Sequence, residues 1–576
     1  MSLKFIQKQY PLVSRIPTLP PCNPHLLAFS LLTSLIIIAY YDVFGHEFVS
    51  YDDYRIIVNH IKRYDGLSLH TLQRIFLQDF PREEPLLIRD VSYLINAQIF
   101  GALNAAGYLV GNILFHITVS FLVYLVCLRF FPGNVRLALL SSVIFAVHPL
   151  HSESVAWISA RKDILYTLFY LLAFYAYMCY LRKSRRWYLL SSTALFLCSL
   201  LSKAAAISFL PLLLCYRLIM CRKIGWKRCE LIYFLTILTT TLYFIWWYTG
   251  VLRDFGLLAS QTPPRIWGQW FLLSAECLTF YIQKLLLPLH LSAVYDFPSP
   301  NLIFKYPLFL LISLSLVAIS IFLAWRLRTC SNKIAYFFAA WFVCALLPYL
   351  DLAQVGIYVA DRYAYLASIP VIIGLACFLL FLYDRLRQRI YGNFLAVTLA
   401  VALIGILTQQ TASAAAVWQN SITLWQNVLQ QVPRHMASYT ALMGEYIKLY
   451  RKKQNSAEGA AYLAKAKRVG LSAMTEFRYG RNKYDRALHL VTVQLAQISW
   501  FDGDLQQAQA YLHLTLQLQP EYLTGRYLYA RLLAQQGKRK AAMNQVNRIE
   551  KNGHPYFDRD ILTAARALKM TLDNRP

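Results

Sequence analysis

The chain has 576 residues, of which 57% are hydrophobic, and a mean hydropathy of +0.41, too apolar for an ordinary soluble protein. Its 57 Lys+Arg outnumber 29 Asp+Glu, but much of the excess lies in short loops between apolar runs, so membrane orientation accounts for it better than nucleic acid does. Eleven cysteines with no CxxC pair argue against a disulfide framework or a zinc knuckle.

In chain order, Lys4, Lys8 and Arg15 precede the first apolar run, and no small-residue cleavage site follows, which predicts a retained anchor. Runs near the ~20 residues needed to span a bilayer recur. They predict eleven crossings: 25–44, 107–130, 136–150, 163–181, 187–202, 204–220, 230–249, 306–324, 334–350, 364–383 and 391–409. Loops such as 182–186, 217–228, 326–333 and 385–389 are short and dense in Lys and Arg, so they are assigned to the cytoplasm. They alternate only if 268–288 does not cross. The acids gather on the opposite, external side. The loop 46–106 carries two stretches with helical spacing, LHTLQRIFL and VSYLINAQIF, read as interfacial amphipathic helices.

The expected architecture is all-α. Residues 1–410 form a polytopic membrane bundle with external loops at 46–106 and 250–305, and residues 411–576 form a non-cytoplasmic repeat domain. In that tail Ala496, Gly503 and Ala508 recur as Ala530, Gly537 and Ala542, a period of 34, and Pro520 closes the first unit. This is tetratricopeptide spacing, in which small residues let antiparallel helices pack closely. Gly503 and Gly537 are read as turns where a side chain would crowd the neighbouring helix. Such stacked pairs form concave, peptide-binding surfaces. With 23 Lys+Arg against 11 Asp+Glu, the tail favours acidic partners or anionic head groups.

Candidate chemistry lies on the external side. Asp52 and Asp53 follow the first run, at a boundary where desolvated carboxylates are costly unless they serve a site. The link from Ala146 to Asp163 crowds His148, His151, Glu153, Arg161, Lys162 and Asp163 between two runs.

At this point the chain resembles the transmembrane and tetratricopeptide-repeat O-mannosyltransferases and their bacterial relatives, within the glycosyltransferase C superfamily. The matching pieces are Tyr51-Asp52-Asp53, Gly107-Tyr108 with Asn112 and His116, His148-Pro149-Leu150-His151-Ser152-Glu153, Arg161-x-Asp163 and Leu201-Ser202-Lys203. Further pieces are Leu287-Pro288-Leu289 with Tyr295-Asp296, Asp361-Arg362-Tyr363-Ala364-Tyr365-Leu366, Trp418-x6-Trp425, and the repeats. Two positions depart from the pattern. Ala204 stands where the family has Glu after Ser-Lys, and Asp90 follows Arg89 where Pro is common.

The resemblance implies an inverting transfer of a hexose, mannose, from a polyprenyl-phosphate carrier to Ser or Thr of exported proteins. The repeat domain would present the acceptor. Such chemistry needs a base for the acceptor hydroxyl and cations for the leaving phosphate. Asp52 and Asp53 are candidate bases, with Glu153 held as a further catalytic carboxylate. Arg161, Lys203, Arg362 and Arg89 are the candidate phosphate holders; His148, His151 and Asp163 would bind phosphate oxygens or orient charges. No cofactor and no metal ligand set are assigned; the alternative is zinc or manganese on His148, His151 and Glu153 with Asp52 or Asp53. The rival functions are the same transfer onto a glycolipid or polysaccharide, and a membrane scaffold or transporter. The expected setting is a bacterial inner membrane with a periplasmic site, or the endoplasmic reticulum with a lumenal one.

Overall fold

The computed structural model describes residues 23–59, 66, 68–77, 84, 86–221, 225–254, 267–295, 333–350, 359–388, 391–479, 483–553 and 558–573. The expected crossing at 306–324, Asp296, Asp351 and the basic residues Lys4, Lys8 and Arg15 lie outside these. The chain divides into two compact units, Met1–Asn420 and Ser421–Pro576. The sequence boundary at 410 falls inside the last helix of the first unit, Gly392–Ala416, because Thr411-Ala-Ser-Ala-Ala-Ala continues it in small residues.

The first unit is helical throughout its described residues. Five helices are long and apolar enough to cross a membrane: Ala105–Phe130, Ile158–Lys183, Arg228–Val251, Asp361–Leu386 and Gly392–Ala416. Four expected crossings are shorter apolar helices, at Pro24–Ala39, Trp187–Leu200, Ala204–Met220 and Lys333–Tyr349. The expected crossing at 136–150 breaks. Val135–Ala146 and Pro149–Ala156 meet at 52°, since Pro149 cannot continue the helical ladder. By length and composition the described residues hold five helices that reach across a membrane, or six with the bent pair, against the eleven crossings expected from the sequence. The helix Trp267–Leu286 is not among them.

Helix Arg161–Lys183 is the spine of this unit. It packs against Trp187–Leu200 and Ala105–Phe130. Small residues allow the close approach: Ser192 Oγ donates to the Ala173 carbonyl and Ser199 Oγ to the Tyr166 carbonyl, both at 2.8 Å. An aromatic cluster of Phe130, Phe174, Tyr216, Phe337 and Trp341 ties four helices together. Asn104 and Asn134 cap the next two helices by accepting from Gly107 N–H and Leu137 N–H. Both amphipathic stretches of the first loop are helices, Leu69–Leu77 and Leu87–Phe100. The second buries Arg89, Asp90 and Tyr93 and leaves Ile95, Ile99 and Phe100 exposed.

The second unit is a stack of helix pairs. Met436–Lys452 pairs with Ala457–Glu476, His489–Phe501 with Leu505–Leu518, and Leu523–Gln535 with Arg539–Asn552. Helices Ser421–Gln431 and Arg559–Asp573 flank the pairs. A two-residue hairpin, Arg478–Tyr479 with Lys483–Tyr484, interrupts the stack. The small residues do what the period predicts. Ala496, Ala508, Leu512, Leu528 and Leu532 share one core cluster, and Ala530 joins Val546 and Ile549 in the next. The glycines act differently from expectation. A Cβ at Gly503 or Gly537 would meet nothing within 4 Å; both residues have positive φ, +82° and +75°, so they serve left-handed backbone and not close approach.

Candidate active site

The Ala146–Asp163 link folds as two short turns and a five-residue helix, and most of its side chains are buried. Asp53 clamps the segment that follows the first helix onto it. Its Oδ1 accepts from the N–H (3.1 Å) and the hydroxyl (2.5 Å) of Ser159, and its Oδ2 accepts from the Val49 N–H at 3.1 Å. Burial pushes this carboxyl up to about 7, against the downward pull of the three donors. Asp52 differs from its neighbour. Its side chain is 30% exposed and pairs with the surface Arg55 at 3.2 Å. The clamp thus fixes the peptide that carries Asp52 while leaving the Asp52 carboxylate accessible.

Three expected ligand-binding residues are engaged with groups of the fold itself. The Arg161 side chain is fully buried. Its Nε donates to Asn112 Oδ1 (2.7 Å), Nη1 to the Ser92 carbonyl (3.2 Å) and Nη2 to the Tyr108 carbonyl (2.5 Å). The guanidinium lies over the Tyr93 ring at 4.8 Å, and a Cβ at Gly111 would meet its Nη2 at 2.9 Å. His148 places Nε2 on the Leu285 carbonyl at 3.1 Å and accepts from Leu150 N–H through Nδ1 at 3.3 Å. His151 contacts the Phe145 carbonyl at 2.8 Å and Ser368 Oγ at 3.0 Å. With both ring nitrogens of each histidine engaged, the imidazoles brace the bend after Ala146. Among the described residues, no three His, Cys, Asp or Glu side chains are grouped to hold a metal ion.

The remaining expected residues form a row of ion pairs. Glu153 accepts from the Arg362 guanidinium, and its other oxygen accepts from the Arg362 N–H at 2.8 Å. Lys203 Nζ meets Asp163 Oδ1 at 2.5 Å, while Asp163 Oδ2 is buried with no hydrogen-bond partner among the described residues. Arg89 Nε meets Asp90 Oδ1 at 2.9 Å, both side chains buried. Aromatic rings separate the charges. Tyr349 and Tyr363 stack at 4.0 Å and both lie 5.0 Å from Lys203 Nζ. Arg362 sits 5.3 Å from the Trp157 ring, which stacks on Trp418 at 5.1 Å and meets Tyr51 at 4.9 Å. Burial lowers the Lys203 ammonium to about 8, with Asp163 pulling the other way.

Beside the row lies a small recess of about 10 Å³, lined in part by Pro149, Ser152, Glu153, Ser292, Asp361 and Trp418. Asp361 Oδ1 accepts from the Tyr295 hydroxyl at 2.7 Å, and that hydroxyl accepts from the Ser292 N–H at 3.1 Å. Sequence reasoning named Tyr51, Lys162 and Asp361 within motifs but gave them no role, and it did not single out Glu84 or Trp157. Trp157 was signalled by its place inside the polar link.

Comparison with known sequences bears on this arrangement. Residues 502–559 match the model of the tetratricopeptide repeat. The chain is 29% identical over 212 residues to protein O-mannosyl-transferase TMTC1 of Mus musculus, covering 33% of this chain and 22% of the relative. It is 34% identical over 128 residues to protein O-mannosyl-transferase TMTC4 of Homo sapiens, covering 20% and 17%. To protein O-mannosyl-transferase tmtc2 of Xenopus laevis it is 31% identical over 186 residues, covering 30% and 21%. Membrane helices and repeats thus occur in one chain with similarity to these proteins. The chain is similar in sequence to the transmembrane and tetratricopeptide-repeat O-mannosyltransferases. The matches span about a fifth of those relatives' length, from 17% to 22%. The family's scattered motif pieces meet in space here. Tyr51, Glu153, Trp157, Arg362 and Trp418 form one contact chain, although they span positions 51 to 418.

Proposed function

We propose that this protein is a membrane glycosyltransferase that moves a hexose, mannose, from a polyprenyl phosphate to Ser or Thr hydroxyls of exported proteins. Asp52 takes the proton of the acceptor hydroxyl. The acceptor oxygen then attacks the anomeric carbon from the face opposite the phosphate, so the C–O bond to phosphate breaks with inversion. Lys203 and Arg362 face the charge that develops on the leaving phosphate, and Lys203 offers the phosphate an ammonium fixed by Asp163 and two tyrosine rings. Glu153 holds Arg362 by both its guanidinium and its backbone N–H, which orients that cation. Arg161, His148 and His151 support these groups from behind.

The observation that carries this reading is the division of labour between adjacent acids. Both Asp53 oxygens are engaged in a clamp, whereas the Asp52 carboxylate is open to a substrate on the same rigid peptide. The names of the relatives support the sugar and the protein acceptor. On this reading the repeat unit presents the acceptor, and the site lies in the periplasm of a bacterial inner membrane or in the lumen of the endoplasmic reticulum. The transfer draws on no cofactor. Mass spectrometry of exported proteins, with and without the gene, tests it. Hexose missing from Ser or Thr in the deletion strain is the expected result, and an unchanged set of modified proteins would refute it.

A further inference from the structure

One ion pair of the site lies outside both the family pattern and the mechanism above. Lys162 Nζ meets Glu84 Oε2 at 2.7 Å, with side chains 14% and 39% exposed. Lys162 is therefore more accessible than Arg89 or Arg161, each 1% exposed or less. It also stands in the first turn of helix Arg161–Lys183, where the positive end of the helix disfavours a cation. A lysine there needs an anion, and the fold brings one from the first loop.

Glu84 draws on more than Lys162. The protein crowded around its carboxyl would raise it, yet Lys162, Arg89 and Lys203 together hold it down at about 2. Three cations from three parts of the chain thus act on one carboxylate. The Arg89 Nη2 also donates to the Glu84 carbonyl at 3.4 Å, which keeps the residue at this point of the site. A carboxylate and a phosphate monoanion use the same donors in the same geometry.

We propose that Lys162 is a phosphate-binding residue and that Glu84 is its resident counter-ion, displaced when an anionic lipid phosphate enters. The inference rests on the proposed transfer and adds a device to it: Glu84 neutralises Lys162 until phosphate enters, and donor binding is an exchange of Lys162 from Glu84 to phosphate. Glu84 therefore competes with the donor, and removing its charge improves binding.

The experiment uses the full chain in detergent and measures binding of a polyprenyl phosphate without sugar. Lys162→Met should weaken binding about tenfold or more, the loss expected for one charge-assisted hydrogen bond. Lys162→Arg should retain most of it. Glu84→Gln should tighten binding severalfold in the single variant and have no effect in the Lys162→Met background. Glu84→Gln that weakens binding together with Lys162→Met would show a plain structural tie and overturn the exchange. Binding unchanged in both single variants would overturn it too. A wild-type chain that binds no polyprenyl phosphate would instead sink the transferase reading and this inference with it.

Discussion

Replacing Arg161 by Lys separates a structural cation from a ligand-binding one. The charge is retained, but a single ammonium cannot reach Asn112 Oδ1, the Ser92 carbonyl and the Tyr108 carbonyl together. If Lys meets one of these, two buried acceptors lose their donor. At about 1–3 kcal/mol for each unmet buried group, the loss is about 2–6 kcal/mol. The flat stack on Tyr93, at 4.8 Å, is lost as well. Thermal unfolding of the purified protein in detergent should then shift down by roughly 2–7 °C. Binding of polyprenyl phosphate, corrected for the folded fraction, should stay within about twofold of wild type, since a change of under ~0.4 kcal/mol means no lost contact. A variant that melts like wild type but binds the lipid at least tenfold more weakly would refute this, and would return Arg161 to the phosphate site.

Three further outcomes follow from the same geometry. Lys203 is pushed down to about 8, and its cation is what a phosphate needs, so affinity for polyprenyl phosphate should hold below pH 7 and fall as pH rises through 8; Lys203→Arg should flatten the profile, and an unchanged one would remove Lys203 from the phosphate site. Gly503→Ala with Gly537→Ala should destabilise the repeat unit by about 1–2 kcal/mol per site through strained positive φ, read as earlier melting by circular dichroism, while Asn at both sites should cost much less; equal effects of Ala and Asn would restore the crowding explanation. Glu153→Gln should leave Arg362 buried without its counter-charge, so a loss of about 3–5 kcal/mol in stability is expected, and a neutral variant would show that the pair does not hold the site.

The repeat unit was the most legible part of the chain. Its 34-residue period reports small residues at fixed contacts, and Ala496, Ala508, Ala530 and Ala542 are buried where that period places them. Even there, composition could not distinguish a glycine required by backbone conformation from one required by space. Apolar length was a poorer guide in the membrane unit. Hydropathy does not reveal that Pro149 bends the segment after Ala146, nor that the helix at Trp187–Leu200 has only 14 residues. In the candidate site, polar density located the cluster but not the direction of each side chain. Arg161 and Lys162 are adjacent in sequence and differ by about one hundred degrees around the helix. One points into carbonyls of neighbouring segments, and the other reaches Glu84 at the surface. The same limit hid the roles of Asp52 and Asp53, because the Ser159 and Val49 donors that separate them arise only from folding.

Turnover by Asp52→Asn, compared with Asp53→Asn, bears on the central claim most directly. Purified protein would be given a polyprenyl-phosphate mannose and a Ser/Thr acceptor peptide, with lipid binding measured on the same samples. Asp52→Asn should lower the rate by about 10²–10⁴-fold with donor binding intact, as loss of a general base does. Asp53→Asn keeps the acceptor oxygen but loses the second, so it should loosen the clamp, cost less in rate and lower the melting temperature. An Asp52→Asn protein that turns over like wild type would contradict the account.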